Sequence, residues 1–175
     1  YENLYSRNVS GFKDYANYGI ALFKIKNYEK AADMLEKAIE IDPDNSSAHI
    51  SLALSYQELG KNELALTQYD VVFRQHPSLH SIRFDYANLL AEMGKDEAAV
   101  ESYKIYIANY PEDARGYQNI GIVYKRLNRL DDTIANFEKA LELQNDKKDV
   151  ELQEDLAECY HIKKDYANAL KYYDE

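Results

Sequence analysis

One cysteine, three prolines, six glycines and no tryptophan leave several fold classes without material. A single thiol, Cys159, excludes a disulfide within the 175 residues and a cysteine-rich metal site. So few glycines and prolines argue against β-rich and disordered classes. No run of eighteen apolar residues occurs, so nothing in the sequence reads as a bilayer-spanning helix. Basic residues number 21 against 31 acidic ones, a net charge of −10. A general nucleic-acid binder needs a basic surface to displace counterions, so that class is disfavoured, as is binding to anionic membranes. No targeting segment is visible. What the chain has in abundance is tyrosine, 17 residues.

The tyrosines are periodic. Pro43, Pro77 and Pro111 stand 34 residues apart. With Phe12 as position 1 of a 34-residue repeat, position 8 reads Gly19, Ala53, Ala87, Gly121, and position 11 reads Leu22, Tyr56, Leu90, Tyr124. Position 20 reads Ala31, Ala65, Ala99, Thr133, position 24 reads Leu35, Tyr69, Tyr103, Phe137, and position 27 reads Ala38, Val72, Tyr106, Ala140. After a two-residue insertion the register resumes at Val150, giving Ala157, Tyr160, Ala169 and Tyr173. Tyr1 and Leu4 keep the register of an earlier repeat.

Within each repeat, two stretches of about 13 residues carry apolar groups at the helical 3- and 4-residue spacing. Gly60, Gly94 and Asn128 fall between the stretches, and these residue types tolerate a left-handed helix end. Asn62, Asp96 and Asp131 follow and are expected to cap the second helices. Helices are expected over 12–25 with 28–41, 46–59 with 62–75, 80–93 with 96–108, 114–127 with 130–143, and 150–163 with 165–175. Small residues at positions 8 and 20 let paired helices approach, and bulky ones at 11 and 24 fill the space between pairs. One pair cannot bury its apolar face alone, so neighbours must stack.

The pattern resembles the tetratricopeptide repeat (TPR), whose hallmarks are small residues at 8, 20 and 27, large ones at 11 and 24, and Pro at 32. The resemblance covers essentially the whole chain. It implies an all-α fold, a right-handed α-solenoid of antiparallel helix pairs. The division is residues 1–11 as the end of a preceding repeat helix, 12–45, 46–79, 80–113 and 114–147 as four repeats, and 150–175 as a truncated fifth. The chain begins and ends inside the same helix of the repeat, which gives the expectation of a window from a longer array. Three departures stand out: position 4, often Trp in the family, reads Tyr15, His49, Arg83, Tyr117; Asn145 replaces the fourth proline; and Tyr106 occupies a small-residue position. Looser or reshaped packing is expected around Tyr106.

In the family, positions 2, 5, 9, 12 and 13 of the first helix line a concave groove. The resemblance places Ile20, Phe23, Ile50, Leu54 and Phe84 there as an apolar stretch, which fits a binding site. Asn88 and Gln118 are expected to hydrogen-bond a partner's backbone, with Ile122, Lys125 and Arg126 completing the candidate binding residues. Only the fourth repeat has a net positive charge. The acidic third and fifth repeats favour a basic partner through steering. One TPR subclass grips chaperone C-termini through Lys and Asn at positions 5 and 9, Asn at position 6 of the next repeat, and a basic pair in the one after. Here that register gives Phe84, Asn88, Asn119, Glu151 and Asp155, so the clamp is not expected.

No chemistry-bearing constellation emerges. His76 and His80 flank a turn without a third ligand in view, and no metal or cofactor is expected. Cys159 reads as a buried small apolar group rather than a nucleophile. Asp131 and Asp132 sit where a helix dipole favours acids. No phosphate loop or nucleophile elbow occurs. The expected function is a non-catalytic protein–protein interaction scaffold holding a protein or peptide segment in the groove. The alternatives are a self-assembling subunit of a larger complex, docking through Tyr166, Leu170 or Tyr173, or a docking arm of an enzyme whose chemistry lies elsewhere. Cytoplasm and periplasm both suit the composition.

Overall fold

The computed structural model describes residues 12–144 and 149–173, with the side chains of Phe12 and Lys13 left aside. The fragment 1–11 and Asn145 lie outside the described residues. The described chain is all helical and divides into two compact units, one ending at Leu79 and one beginning at His80.

The first unit holds α1 (Phe12–Lys24), α2 (Tyr28–Ile41), α3 (Ser46–Glu58) and α4 (Asn62–Gln75). The second holds α5 (Arg83–Glu92), α6 (Asp96–Asn109), α7 (Ala114–Arg126), α8 (Leu130–Gln144), α9 (Val150–Ile162) and α10 (Tyr166–Tyr173).

The turns inside each pair follow one rule. The second residue after the first helix takes a left-handed backbone, at Lys26 (φ 61°), Gly60 (69°), Gly94 (70°), Asn128 (56°) and Lys164 (62°). Each closes two backbone hydrogen bonds onto the preceding helix, as in Lys61 N–H to Tyr56 O at 2.8 Å and Gly60 N–H to Gln57 O at 2.9 Å. This is the Schellman arrangement, which satisfies carbonyls at the helix end. The turn consumes two residues, so the capping position falls on Lys61 and Lys95, and neither side chain caps. Asn62 and Asp96 are instead the first helical residues and Asp131 the second of α8, which corrects the expected caps. In the fifth pair Asp165 accepts from Asn168 N–H at 3.3 Å; the other side-chain caps occur one element later, where Asn45, Asp113 and Asp149 accept from Ala48, Arg115 and Leu152 N–H. Leu79 holds the equivalent place and has no acceptor. There the chain makes a 3₁₀ turn, His80–Ile82, and α5 starts three residues later than expected.

Packing follows the small–large alternation. Ala31, Ala65, Ala99 and Thr133 are fully buried, as are Leu35, Tyr69 and Phe137, with Tyr103 1% exposed. A Cβ at Gly19 would lie 2.6 Å from Leu35 Cγ, and one at Gly121 would lie 2.5 Å from two ring carbons of Phe137, so glycine sets the interhelical approach there. Tyr106 is accommodated by reshaping. Its ring meets Phe84 at 5.3 Å and Tyr110 at 4.8 Å. Its hydroxyl donates to Asp113 Oδ2 at 2.6 Å. Gly116 on α7 leaves room for it, since a Cβ would come within 3.1 Å of Tyr106 Cδ1.

Candidate functional site

The candidate residues divide between the units, and each set is considered within its own. In the first unit Ile20, Phe23, Ile50 and Leu54 are half-buried on α1 and α3. Phe23 rests on Tyr28, ring centroids 5.5 Å apart. These side chains serve packing at least as much as they face solvent.

In the second unit Phe84 is half-buried, edge-on to Tyr103 at 6.1 Å, with the Arg115 guanidinium 5.0 Å from its ring centre. Arg115 is itself held by Asp113, Nη2 to Oδ2 at 2.6 Å. Beside it, α5 and α7 border an open, shallow pocket of about 350 Å³ that reaches Tyr103 of α6. Asn88, Glu92, Asn119, Ile122 and Arg126 line its walls. Gln118 and Lys125 do not line it, so the structure gathers Asn88, Ile122 and Arg126 from the expected set.

The hydrogen bonding of this pocket is directional. Asn88 Oδ1 accepts from the Tyr103 hydroxyl and from Asn119 Nδ2, the latter at 2.8 Å. That oxygen's two acceptor sites are therefore filled. The Asn88 amide nitrogen remains a donor and the Asn119 carbonyl an acceptor, the complement of a peptide group. Burial pushes the Tyr103 hydroxyl up to about 12, with the Asn119 hydrogen bond and Arg126 opposing, so it stays protonated and keeps donating. Ile122 is 41% exposed and supplies apolar surface at the rim.

The basic side chains of α7 are occupied. Lys125 Nζ bonds Asp155 at 2.9 Å and Glu158 at 2.5 Å on α9. Burial alone would lower its pKa, but the hydrogen bonds it donates to the two carboxylates outweigh this and raise it. Arg126 donates to the Ala91 carbonyl at 3.0 Å and pairs with Asp96. Both cations thus tie neighbouring helices together. Glu92 is exposed and makes no ion pair among the described residues.

Among the described residues no group of three or more His, Cys, Asp or Glu is placed to hold a metal ion. Cys159 is fully buried and burial raises its thiol pKa, so the thiolate is disfavoured. No helix of the described residues is long and apolar enough to cross a membrane.

Sequence reasoning singled out Asn88, and the family register set Glu92 at an inward position of the third repeat, but Tyr103 and Asn119 were missed as pocket residues. The signal for Asn119 was present, since Asn88 and Asn119 both matched the clamp register. Tyr103 was read only as a core ring, because its hydroxyl contact is 15 residues away in sequence.

Comparison with known proteins agrees with this architecture. A family model described as TPR repeat matches residues 19–60. A second, for the N-terminal TPR repeats region of Psidin, matches residues 56–172. The Type IV pilus assembly protein PilF of Pseudomonas aeruginosa is 28% identical over 164 residues, covering 91% of this chain. The chain spans 64% of that relative's length. The solved structure of Pseudomonas aeruginosa PilF superposes with a TM-score of 0.75 at 26% identity, covering 93% of this chain and 73% of that one. MamA from Desulfovibrio magneticus gives a TM-score of 0.85 at 20% identity, with 93% and 91% covered. YrrB, described as a TPR protein with an unusual peptide-binding site, gives 0.83 at 16% identity, with 99% and 88% covered. Helix pairs, left-handed turns and family matches agree: the chain belongs to the tetratricopeptide-repeat family, with its all-α solenoid fold of antiparallel helix pairs.

Proposed function

We propose that this chain is a non-catalytic scaffold that holds an extended segment of a partner protein on the exposed surface of its first helices. The observation that carries the reading is the Asn88–Asn119 amide pair. It presents one donor and one acceptor beside the exposed Ile122, in a pocket of about 350 Å³. A preformed receptor of this kind loses little conformational entropy on binding. In the first unit Ile20, Phe23, Ile50 and Leu54 offer a partly open apolar border to the same kind of segment. Gln118 and Lys125 flank the pocket on α7. Peptide binding by YrrB and the assembly role in the name of PilF support the reading by similarity. The chain divides, in this proposal, into four 34-residue repeats and a truncated fifth.

The test is affinity capture from a lysate of the source organism with wild type, Ile122→Asp and the control Ile105→Asp. Both positions are exposed, at 41% and 38%, so neither change threatens the core. Partners held by wild type and the Ile105 variant, but lost from the Ile122 variant, are expected. Equal capture by all three would remove the reading.

A self-assembling subunit is the second reading. Tyr166, Leu170 and Tyr173 on α10 are 55%, 59% and 53% exposed, more apolar surface than one short helix usually shows to water. A solution mass that does not change with concentration would count against it.

A further inference from the structure

The pocket in the second unit points further, to the chemistry of its occupant. We infer that the segment it takes is basic, with a Lys or Arg side chain set against Glu92 while its backbone pairs with Asn88 and Asn119. The inference rests on the proposed scaffold reading and adds the partner's charge to it.

Each cation on the first helices of this unit is already engaged. Arg115 is held by Asp113 and lies over Phe84. Lys125 is shared by Asp155 and Glu158, and Arg126 is held by Asp96 and the Ala91 carbonyl. Arg83 also has a partner. The acids are in excess. Glu92 in the pocket, and Glu151 and Glu154 on α9, are exposed and carry no ion pair among the described residues. Glu151 lies one turn before Asp155 on the helix stripe that meets Lys125, so uncompensated charge continues along that face. A carboxylate segment would meet these acids with no unpaired cation to receive it. A basic segment meets Glu92 at the pocket wall, the free amide donor and acceptor beside it, and Ile122 for its apolar stem. Charge complementarity of this kind selects partners and speeds encounter.

The experiment pans a random twelve-residue peptide display library on the immobilised protein at low ionic strength. Enriched peptides are then synthesised and their affinities measured by fluorescence anisotropy. The comparison set is wild type, Ile122→Asp, and the triple variant Glu92→Gln, Glu151→Gln, Glu154→Gln, all with surface changes that leave the core intact. The expected result is enrichment of Lys and Arg over the starting library. The triple variant should bind at least about fivefold more weakly, Ile122→Asp should abolish binding, and added salt should weaken wild type towards the triple variant. Enriched peptides without excess Lys or Arg that still need Ile122 would overturn the basic occupant and leave the scaffold reading standing. Enriched peptides indifferent to Ile122→Asp, or no enrichment at all, would overturn both.

Discussion

Gly121→Ala separates two physical effects of opposite sign. Alanine is a better helix former than glycine by about 1 kcal/mol in a helix interior, so propensity alone makes the substitution stabilising. Packing says the reverse. The added Cβ would lie 2.5 Å from Cδ1 and Cε1 of Phe137, a ring with no solvent exposure. Carbon atoms settle at about 3.5–4.0 Å, so the ring must retreat by about 1 Å inside a close-packed core. Overpacking of that severity costs about 3 kcal/mol, at the upper end of its range. The net expectation is a loss of about 2 kcal/mol, or about 4–8 °C in Tm for a chain of this size. Urea unfolding followed by far-UV circular dichroism measures it directly. Ala53 and Ala87 occupy the same repeat position and are fully buried without conflict. Their partners Tyr69 and Tyr103 have hydroxyls tethered by Gln57 and Asn88, whereas Phe137 has no such tether. A Gly121→Ala protein as stable as wild type, or more so, would refute the close-approach argument.

Two further predictions concern turns and caps. Lys26→Gly and Lys164→Gly relieve left-handed backbone at φ 61° and 62° and should each stabilise by roughly 0.5–1 kcal/mol, read from the urea midpoint; destabilisation by both would contradict the turn assignment. Asp113→Ala removes the α7 cap, the Tyr106 hydroxyl's acceptor and the Arg115 partner together, and should cost about 2 kcal/mol. The same carboxylate predicts a pH dependence. The Arg115 hydrogen bond first, and the Tyr106 hydroxyl with the Arg115 backbone N–H, outweigh burial and hold Asp113 at about 2, below its ordinary 3.8. Its contribution is therefore complete above about pH 4 and is lost as pH falls through about 2. Wild type should lose Tm faster than Asp113→Asn across that interval; parallel curves would refute the assignment.

The helices were legible because their punctuation is local. Gly60, Gly94 and Asn128 are residue types that accept a left-handed turn, and each marks a helix end. Lys26 and Lys164 make the same turn but are invisible to composition, because only the register of their neighbours demands that backbone. The expected caps at Asn62, Asp96 and Asp131 failed for a countable reason. The Schellman turn places the capping position one residue earlier for Asn62 and Asp96 and two earlier for Asp131, which leaves Asp96 and Asp131 to pair with Arg126 and Lys163 across repeats. The 3₁₀ start at His80 follows from Leu79, where other repeats carry Asn or Asp.

The site was only half legible. The family resemblance put Asn88 and Ile122 on the open face, and both line the pocket. It also put Lys125 and Arg126 there as a basic feature, but charge counted by segment is blind to acids 30 or more residues away that neutralise them. Asn119 and Tyr103 became site residues only when the fold brought their polar atoms onto one carbonyl oxygen. The clamp register marked Asn119 in advance, whereas the hydroxyl contact of Tyr103 has no signature in spacing.

The claim that the pocket face of the second unit binds a partner segment is tested most directly by site-specific photo-crosslinking in the source cell. A photoreactive benzoyl-phenylalanine is placed at Ile122, beside the amide pair, and separately at Ile105 on α6, exposed to a similar degree. The account predicts a discrete adduct from position 122, abolished by Asn88→Ala, and none from position 105. Adducts from 105 alone, or from neither position while capture persists, would contradict it.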